Sequence, residues 1–210
     1  MPAFSGTDNF GGELVFLDKL AEEGRLAAVG ETGFDLFDAA LRQTEKTQVL
    51  LFDAQLETAL RYGLPVVLHV RRAMHLVFAR AGMLEKCRAV IFHAWPGTQA
   101  EGEALLRRRI NAYFSIGPAV LRGRRETRRG AAMLPVERLL TETDAPYTGS
   151  AGIGEVLAEV AALRMTTPAE LEAAVDRNFW EAFGGGGGKP YGSAGIPLTQ
   201  SPYQQNPRLR

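Results

Sequence analysis

The feature that most restricts the fold is a rhythm of short apolar runs. "LAAVG" (26–30), "PVVLH" (65–69), "RAVIFH" (88–93), "AYFSI" (112–116) and "RLLTE" (138–142) recur with longer stretches between them. Each run is continuously apolar rather than alternating, as a strand covered on both faces requires. Between the first two, Val49, Phe52, Leu56 and Leu60 repeat at helical spacing, and Gly63 and Pro65 end the helix. Helical patterns also fit about 73–82, 98–109, 124–133, 151–164 and 168–180. Strand, helix and strand joined by short connections make βαβ units and a parallel sheet. "MPAFSG" (1–6) reads as one more strand, which brings the expected number to six.

A chain of 210 residues suffices for one domain with a substantial core. We expect that domain to occupy 1–183. From 184 to 210 the chain is rich in Gly, Pro, Ser and Gln and has no apolar periodicity, so a disordered tail is expected. No apolar run approaches the roughly 20 residues that a membrane helix needs. The N-terminus lacks the basic start and apolar block of a signal peptide. A single cysteine, Cys87, excludes an intrachain disulfide; it suits a reducing cytoplasm and reads as a structural thiol at a strand start. With 24 basic and 24 acidic residues the net charge is zero, which argues against a nucleic-acid coat protein. The arginines are nevertheless clustered, at 107–109 and in "RGRRETRR" (122–129). One reading is a solvated helix face, and the other a local phosphate-binding patch.

Chemistry-bearing residues gather at the ends of the expected strands. "AAVGE" closes on Glu31, "VVLH" on His69 and "VIFH" on His93, and "LLTETD" supplies Asp144. Two of the three histidines occupy this one kind of place. In a parallel α/β barrel the C-terminal strand ends converge on the active site. Two imidazoles and two carboxylates meeting there suit a divalent metal, and a His₂Glu set with open positions is a known catalytic zinc arrangement. A lone histidine ending a strand is ordinarily a satisfied core residue; four such residues at equivalent places outweigh that reading. His75 falls inside a helical pattern and is read as a surface or supporting residue. Glu142 is open between pointing with Asp144 and satisfying a basic neighbour.

Several ordered motifs together resemble the TatD family of metal-dependent hydrolases. They are "AAVGETGFD" (27–35), the helix carrying Gln48, Phe52, Gln55, Leu56 and Ala59, "LPVVLHVR" (64–71), "VIFHAWPG" (90–97), "AYFSIG" (112–117), "ERLLTETDAPY" (137–147) and "NFWEAF" (178–183). The resemblance implies an α/β fold, a TIM-type (β/α) barrel, and hydrolysis of DNA phosphodiester bonds with one or two divalent ions such as zinc, magnesium or manganese. By that resemblance Glu31 bridges two ions, His69 and His93 hold one of them, and Asp144 holds the other and activates water. Arg122, Arg124 and Arg125 follow the strand that corresponds to the seventh of the barrel. Phosphate sites often form in the loops after strands seven and eight, which makes these arginines candidate substrate ligands.

The chain also departs from the pattern. The family opens on a strand with a His-x-His pair, whereas no histidine precedes His69 here. "MPAFSG" is similar to the third family strand, so about six of eight strands are expected and the chain is read as N-terminally incomplete, a truncated copy or one with a misplaced start. "TDNFGG" (7–12) stands where the family shows His-Pro, Arg72 where an aspartate is usual, and "TGSAGIG" (148–154) where the family loop is longer. Two other functions stay open. One is a non-catalytic remnant of the family. The other is a metal-dependent amidohydrolase acting on a small amide or ester, since such barrels host varied chemistry.

Overall fold

In the computed structural model, which describes residues 10–144 and 152–184, the apolar runs lie side by side as five parallel strands. They are β1 (Val29–Asp35), β2 (Val66–Arg71), β3 (Val90–Phe92), β4 (Ala112–Ile116) and β5 (Leu139–Thr141), and their order in space is their order in sequence. Parallel neighbours require crossovers, and helices supply them. The crossover helices are α2 (Ala39–Gln43), α3 (Glu45–Tyr62), α4 (Met74–Ala79), α5 (Ala81–Leu84), α6 (Gln99–Arg107) and α7 (Arg125–Met133), while α1 (Gly11–Glu22) precedes β1 and α8 (Ile153–Leu163) and α9 (Pro168–Phe183) follow β5. Sequential order with alternating helices is the pattern of a (β/α) barrel, here an incomplete one. Among the described residues the sheet has five strands rather than six; the strand expected at 1–6 and the tail expected beyond 184 lie outside them. No helix of the described residues is long and apolar enough to cross a membrane.

The two faces of the sheet do different work. Val66, Leu68, Val90, Phe92, Phe114, Ile116 and Leu139 pack with Phe52, Leu56, Leu105, Val156 and Leu171 from the helices into the main core. The opposite face carries a smaller cluster of Ile91, Tyr113 and Leu140, covered by Ala182 of α9. Successive strand side chains alternate between faces. Two residues further along that second face, therefore, Val67 leads to His69, Ile91 to His93 and Leu140 to Glu142. The apolar cluster is the floor on which the polar end of the sheet stands.

Two features were not foreseen. Helix α1 falls in a stretch with no expected element, although Leu14, Leu17 and Ala21 repeat at helical spacing. It is tied to α3 through Asp18, whose carboxylate accepts from Arg61 at 2.7 Å and from the Tyr62 hydroxyl at 3.2 Å. The helix expected at 73–82 is two short ones, joined at Arg80. At the far end of the chain, buried Asn178 donates to the carbonyls of Val136 at 2.7 Å and Leu139 at 2.8 Å. That explains why the "NFWEAF" segment is polar at one buried position: α9 fixes the entry into β5.

Candidate metal centre

The first candidate ligand, Glu31, is positioned by the glycines around it. A Cβ on Gly33 would stand 2.1 Å from the His69 carbonyl oxygen, and one on Gly30 would stand 2.7 Å from the Val67 Cβ. Gly33 also holds a φ of +135°, which side chains rarely adopt. Only glycine lets β1 lie this close to β2, and the pairing register shifts between Val29 and Thr32. Glu31 sits within that irregularity. The strand does not end at Glu31, as the sequence suggested, but continues to Asp35. "GETG" looks like a turn by propensity; α3 holds it extended. The Asp35 N–H donates to Gln48 Oε1 at 2.8 Å while Gln48 Nε2 donates to the Asp35 carbonyl at 3.0 Å. Thr32 bonds Gln55, and Phe52 packs on Phe34 with ring centroids 4.6 Å apart. The spaced glutamines of α3 thus fasten β1.

The extension brings in a residue the sequence reading missed. Asp35 Oδ2 lies 3.2 Å from His69 Nε2, and its other oxygen accepts from the Phe37 N–H at 2.9 Å. Asp35 is legible in principle, being four strand residues beyond Glu31, but only if the strand is read past "GETG".

His93 is held from the other side. Its Nδ1 lies 2.9 Å from Glu142 Oε1, and the same oxygen accepts from the Ala94 N–H at 2.9 Å. A carboxylate there keeps the proton on Nδ1 and leaves Nε2 with its lone pair. The hydrogen bond to Glu142 raises the His93 pKa above its ordinary value; burial opposes this, and the charges of Glu142, Glu31 and Asp144 add to it. Glu142, ambiguous in sequence, is therefore the residue that orients an imidazole.

His93 Nε2 stands 3.7 Å from Asp144 Oδ1 and 4.0 Å from Glu31 Oε1. The His69 and His93 rings are 6.2 Å apart and 29° from parallel. Glu31, His69 and His93 each offer a ligand atom, and these atoms lie within 4.8 Å of one another, a set that could hold a metal ion. Two ligands about 2.1 Å from one tetrahedral ion stand about 3.4 Å apart, so small side-chain adjustments complete the fit. An open cleft of about 630 Å³ is lined by Glu31, His93, Glu142, Thr143, Asp144 and Ile153. Backbone strain collects at the same end: Arg72, Ala94 and Asp144, which follow β2, β3 and β5, have φ of 56°, 45° and 53°.

The other candidates are placed elsewhere. His75 is exposed on α4. Arg122, Arg124 and Arg125 are exposed between β4 and the first turn of α7, do not line the cleft, and make no ion pair with a described residue.

The family model described as "TatD related DNase" matches residues 12–184. A relative from Pantoea vagans, named 3'-5' ssDNA/RNA exonuclease TatD, is 38% identical over 133 residues, covering 62% of this chain and 50% of that protein. A relative of the same name from Klebsiella pneumoniae is 33% identical over 182 residues, covering 79% and 68%. The chain thus spans about half the length of the first relative and about two thirds of the second. Among solved structures, a TatD homologue of Escherichia coli K12 superposes with a TM-score of 0.74 at 28% identity, over 82% of this chain and 70% of that one. A TatD-family hydrolase from Entamoeba histolytica shares the fold, with a TM-score of 0.62 at 17% identity over 86% and 69%. The family match takes in every described strand and every residue of the cleft, and the chain belongs to the TatD-related DNases.

Proposed function

We propose that the chain is a metal-dependent hydrolase that cuts phosphodiester bonds of DNA. The observation that carries this reading is the convergence of Glu31, His69 and His93, with Asp144 beside them, at the C-terminal end of the sheet. The names of the relatives from Pantoea and Klebsiella point to single-stranded nucleic acid as the substrate class. Glu31, His69 and His93 would hold a divalent ion, with Asp144 as a further ligand or as general base. Imidazole donors favour zinc or manganese over magnesium, which prefers oxygen ligands. When bound, the ion supplies an activated water near neutral pH and neutralises charge on a phosphoryl oxygen.

The chain's own groups do the rest. Glu142 keeps the proton of His93 on Nδ1 and so presents Nε2 to the cleft. Asp35 holds the His69 ring from β1. Asp144, which follows β5 with a φ of 53° and lines the cleft, would hold the ion or take a proton from water. We take residues 1–183 as the hydrolase domain and 184–210 as a tail outside it, on composition. A cytoplasmic setting is supported by the single cysteine, a buried free thiol.

The test is cleavage of a labelled single-stranded oligodeoxynucleotide by the purified chain with zinc, manganese or magnesium, beside His69→Ala and His93→Ala. Activity should require added metal and fall at least about 100-fold in either variant, as loss of a group acting directly in catalysis does. Unchanged activity in both variants would overturn the site. Hydrolysis of amide or ester substrates with no cleavage of DNA would replace the nuclease by an amidohydrolase.

A further inference from the structure

We infer that Arg71 and Arg72, backed by Arg42, form an anion subsite beside the metal centre that takes a phosphate of the nucleic-acid strand next to the one being cut. This rests on the nuclease reading above. Arg71 ends β2, two residues beyond His69, so strand alternation puts both on one face. The separation along the strand is about 7 Å, within reach of a single bound strand.

The three guanidinium groups meet around one loop. Arg71 Cζ lies 3.5 Å and Arg72 Cζ 4.5 Å from the centroid of the Phe37 ring. Arg72 Nη1 donates to the Phe37 carbonyl at 3.1 Å. Arg42 Nη1 donates to the carbonyls of Leu36 and Phe37, each at 3.3 Å. A guanidinium carries five N–H donors. Those bonds engage one nitrogen of Arg42 and one of Arg72, and none of Arg71.

None of the three arginines forms an ion pair with a described residue. The two acids nearest in sequence bond elsewhere: Asp35, at the end of β1, with His69 and the Phe37 N–H, and Asp38 with the Leu41 N–H at 2.9 Å at the start of α2. All three arginines are exposed, and Phe37 is 39% exposed. Two cations beside one ring repel each other, and an anion that reaches both reduces that repulsion. Stacking on Phe37 also fixes the planar forks before a ligand arrives, which lowers the ordering cost of bidentate bonds to phosphate oxygens. Arg72 holds a φ of 56°, a strained backbone of the kind retained at ligand clamps. Among the described residues, Arg122, Arg124 and Arg125 have no such scaffold.

The experiment measures binding apart from cleavage. Fluorescein-labelled oligo-dT is titrated by anisotropy, in EDTA and over a range of salt, with the full chain, Arg71→Gln, Arg72→Gln, the double variant, and Arg122→Gln/Arg124→Gln as comparison. A methylphosphonate oligo-dT serves as the uncharged probe. For a single strand, log affinity against log salt should lose about 0.7 of slope for each phosphate contact removed. The subsite predicts that loss at Arg71 and Arg72, none at Arg122/Arg124, and weak, variant-independent binding of the uncharged probe. Arg71→Lys, which keeps a charge, should retain most of the slope and controls for misfolding. A wild-type chain that cleaves DNA with metal, but whose slope is unchanged in the double variant or falls instead at Arg122/Arg124, would overturn the subsite alone. A wild-type chain that neither binds nor cleaves would overturn the nuclease reading and the subsite with it.

Discussion

At the scale of the residue, the contrast between Glu142 and Asp144 carries the chemistry. Both follow an apolar strand, and nothing in their spacing tells which one meets the ligand set. The structure separates them by what each oxygen touches: Glu142 meets Nδ1 of His93 and a backbone N–H, while Asp144 faces Nε2. Sequence could nominate the histidines because imidazole is scarce and oddly placed, but a carboxylate's role depends on a partner far away in the chain, His93 for Glu142. Glu142→Gln should lower the His93 titration midpoint of the metal-free protein, because the carboxylate's hydrogen bond and charge both raise it. The sign for stability follows. A histidine whose folded pKa is raised above 6.5 contributes stability below that unfolded value and loses it as pH rises through the raised one. The variant should lose this acid-side contribution, and its metal affinity should drop about 10-fold or more, as for other partners of ligating histidines. An NMR titration of the imidazole with calorimetric metal titration checks both; an unmoved midpoint would remove Glu142 from its role.

At the scale of the element, β1 shows where propensity misleads. A strand former is recognised by branched and aromatic residues, and "GETGFD" offers few. Its extended form depends on close approach to β2 and on two glutamines from α3, neither visible without the fold. The strands with continuous apolar runs were legible to within two residues at most of their ends, since burial on both faces leaves a direct trace. Gly33→Ala is therefore a sharper probe of β1 than any apolar truncation. Its methyl would meet the His69 carbonyl oxygen in a position the backbone φ already disfavours. We expect a loss of about 1–3 kcal/mol, as in other overpacked sites, read as a lowered urea midpoint. Metal affinity should fall in parallel, since Glu31 and His69 are moved apart. A variant as stable as wild type would show that β1 tolerates a wider gap.

At the scale of the whole molecule, both the order of the strands and the incompleteness of the barrel were readable, the first from the alternation of runs and the second from the motifs that are missing before β1. Among the described residues β1 and β5 each have a single sheet neighbour. Donors from β1, β2, β3 and the turn after β5 meet across the open face, so a bound ion would tie the arc together. Metal should accordingly raise the thermal midpoint, with a gain of about 2.7 kcal/mol when free metal is 100 times its dissociation constant. EDTA should return the midpoint to its metal-free value, and a midpoint indifferent to zinc and manganese would mean that the ion does not span these strands. The sequential strand order has a temporal consequence as well. On the ribosome Glu31, His69 and His93 emerge before the segment that holds Glu142 and Asp144. A nascent chain still lacking β5 already possesses its imidazoles but has nothing to orient the second of them. Among the described strands, the one made last brings the partner that orients His93.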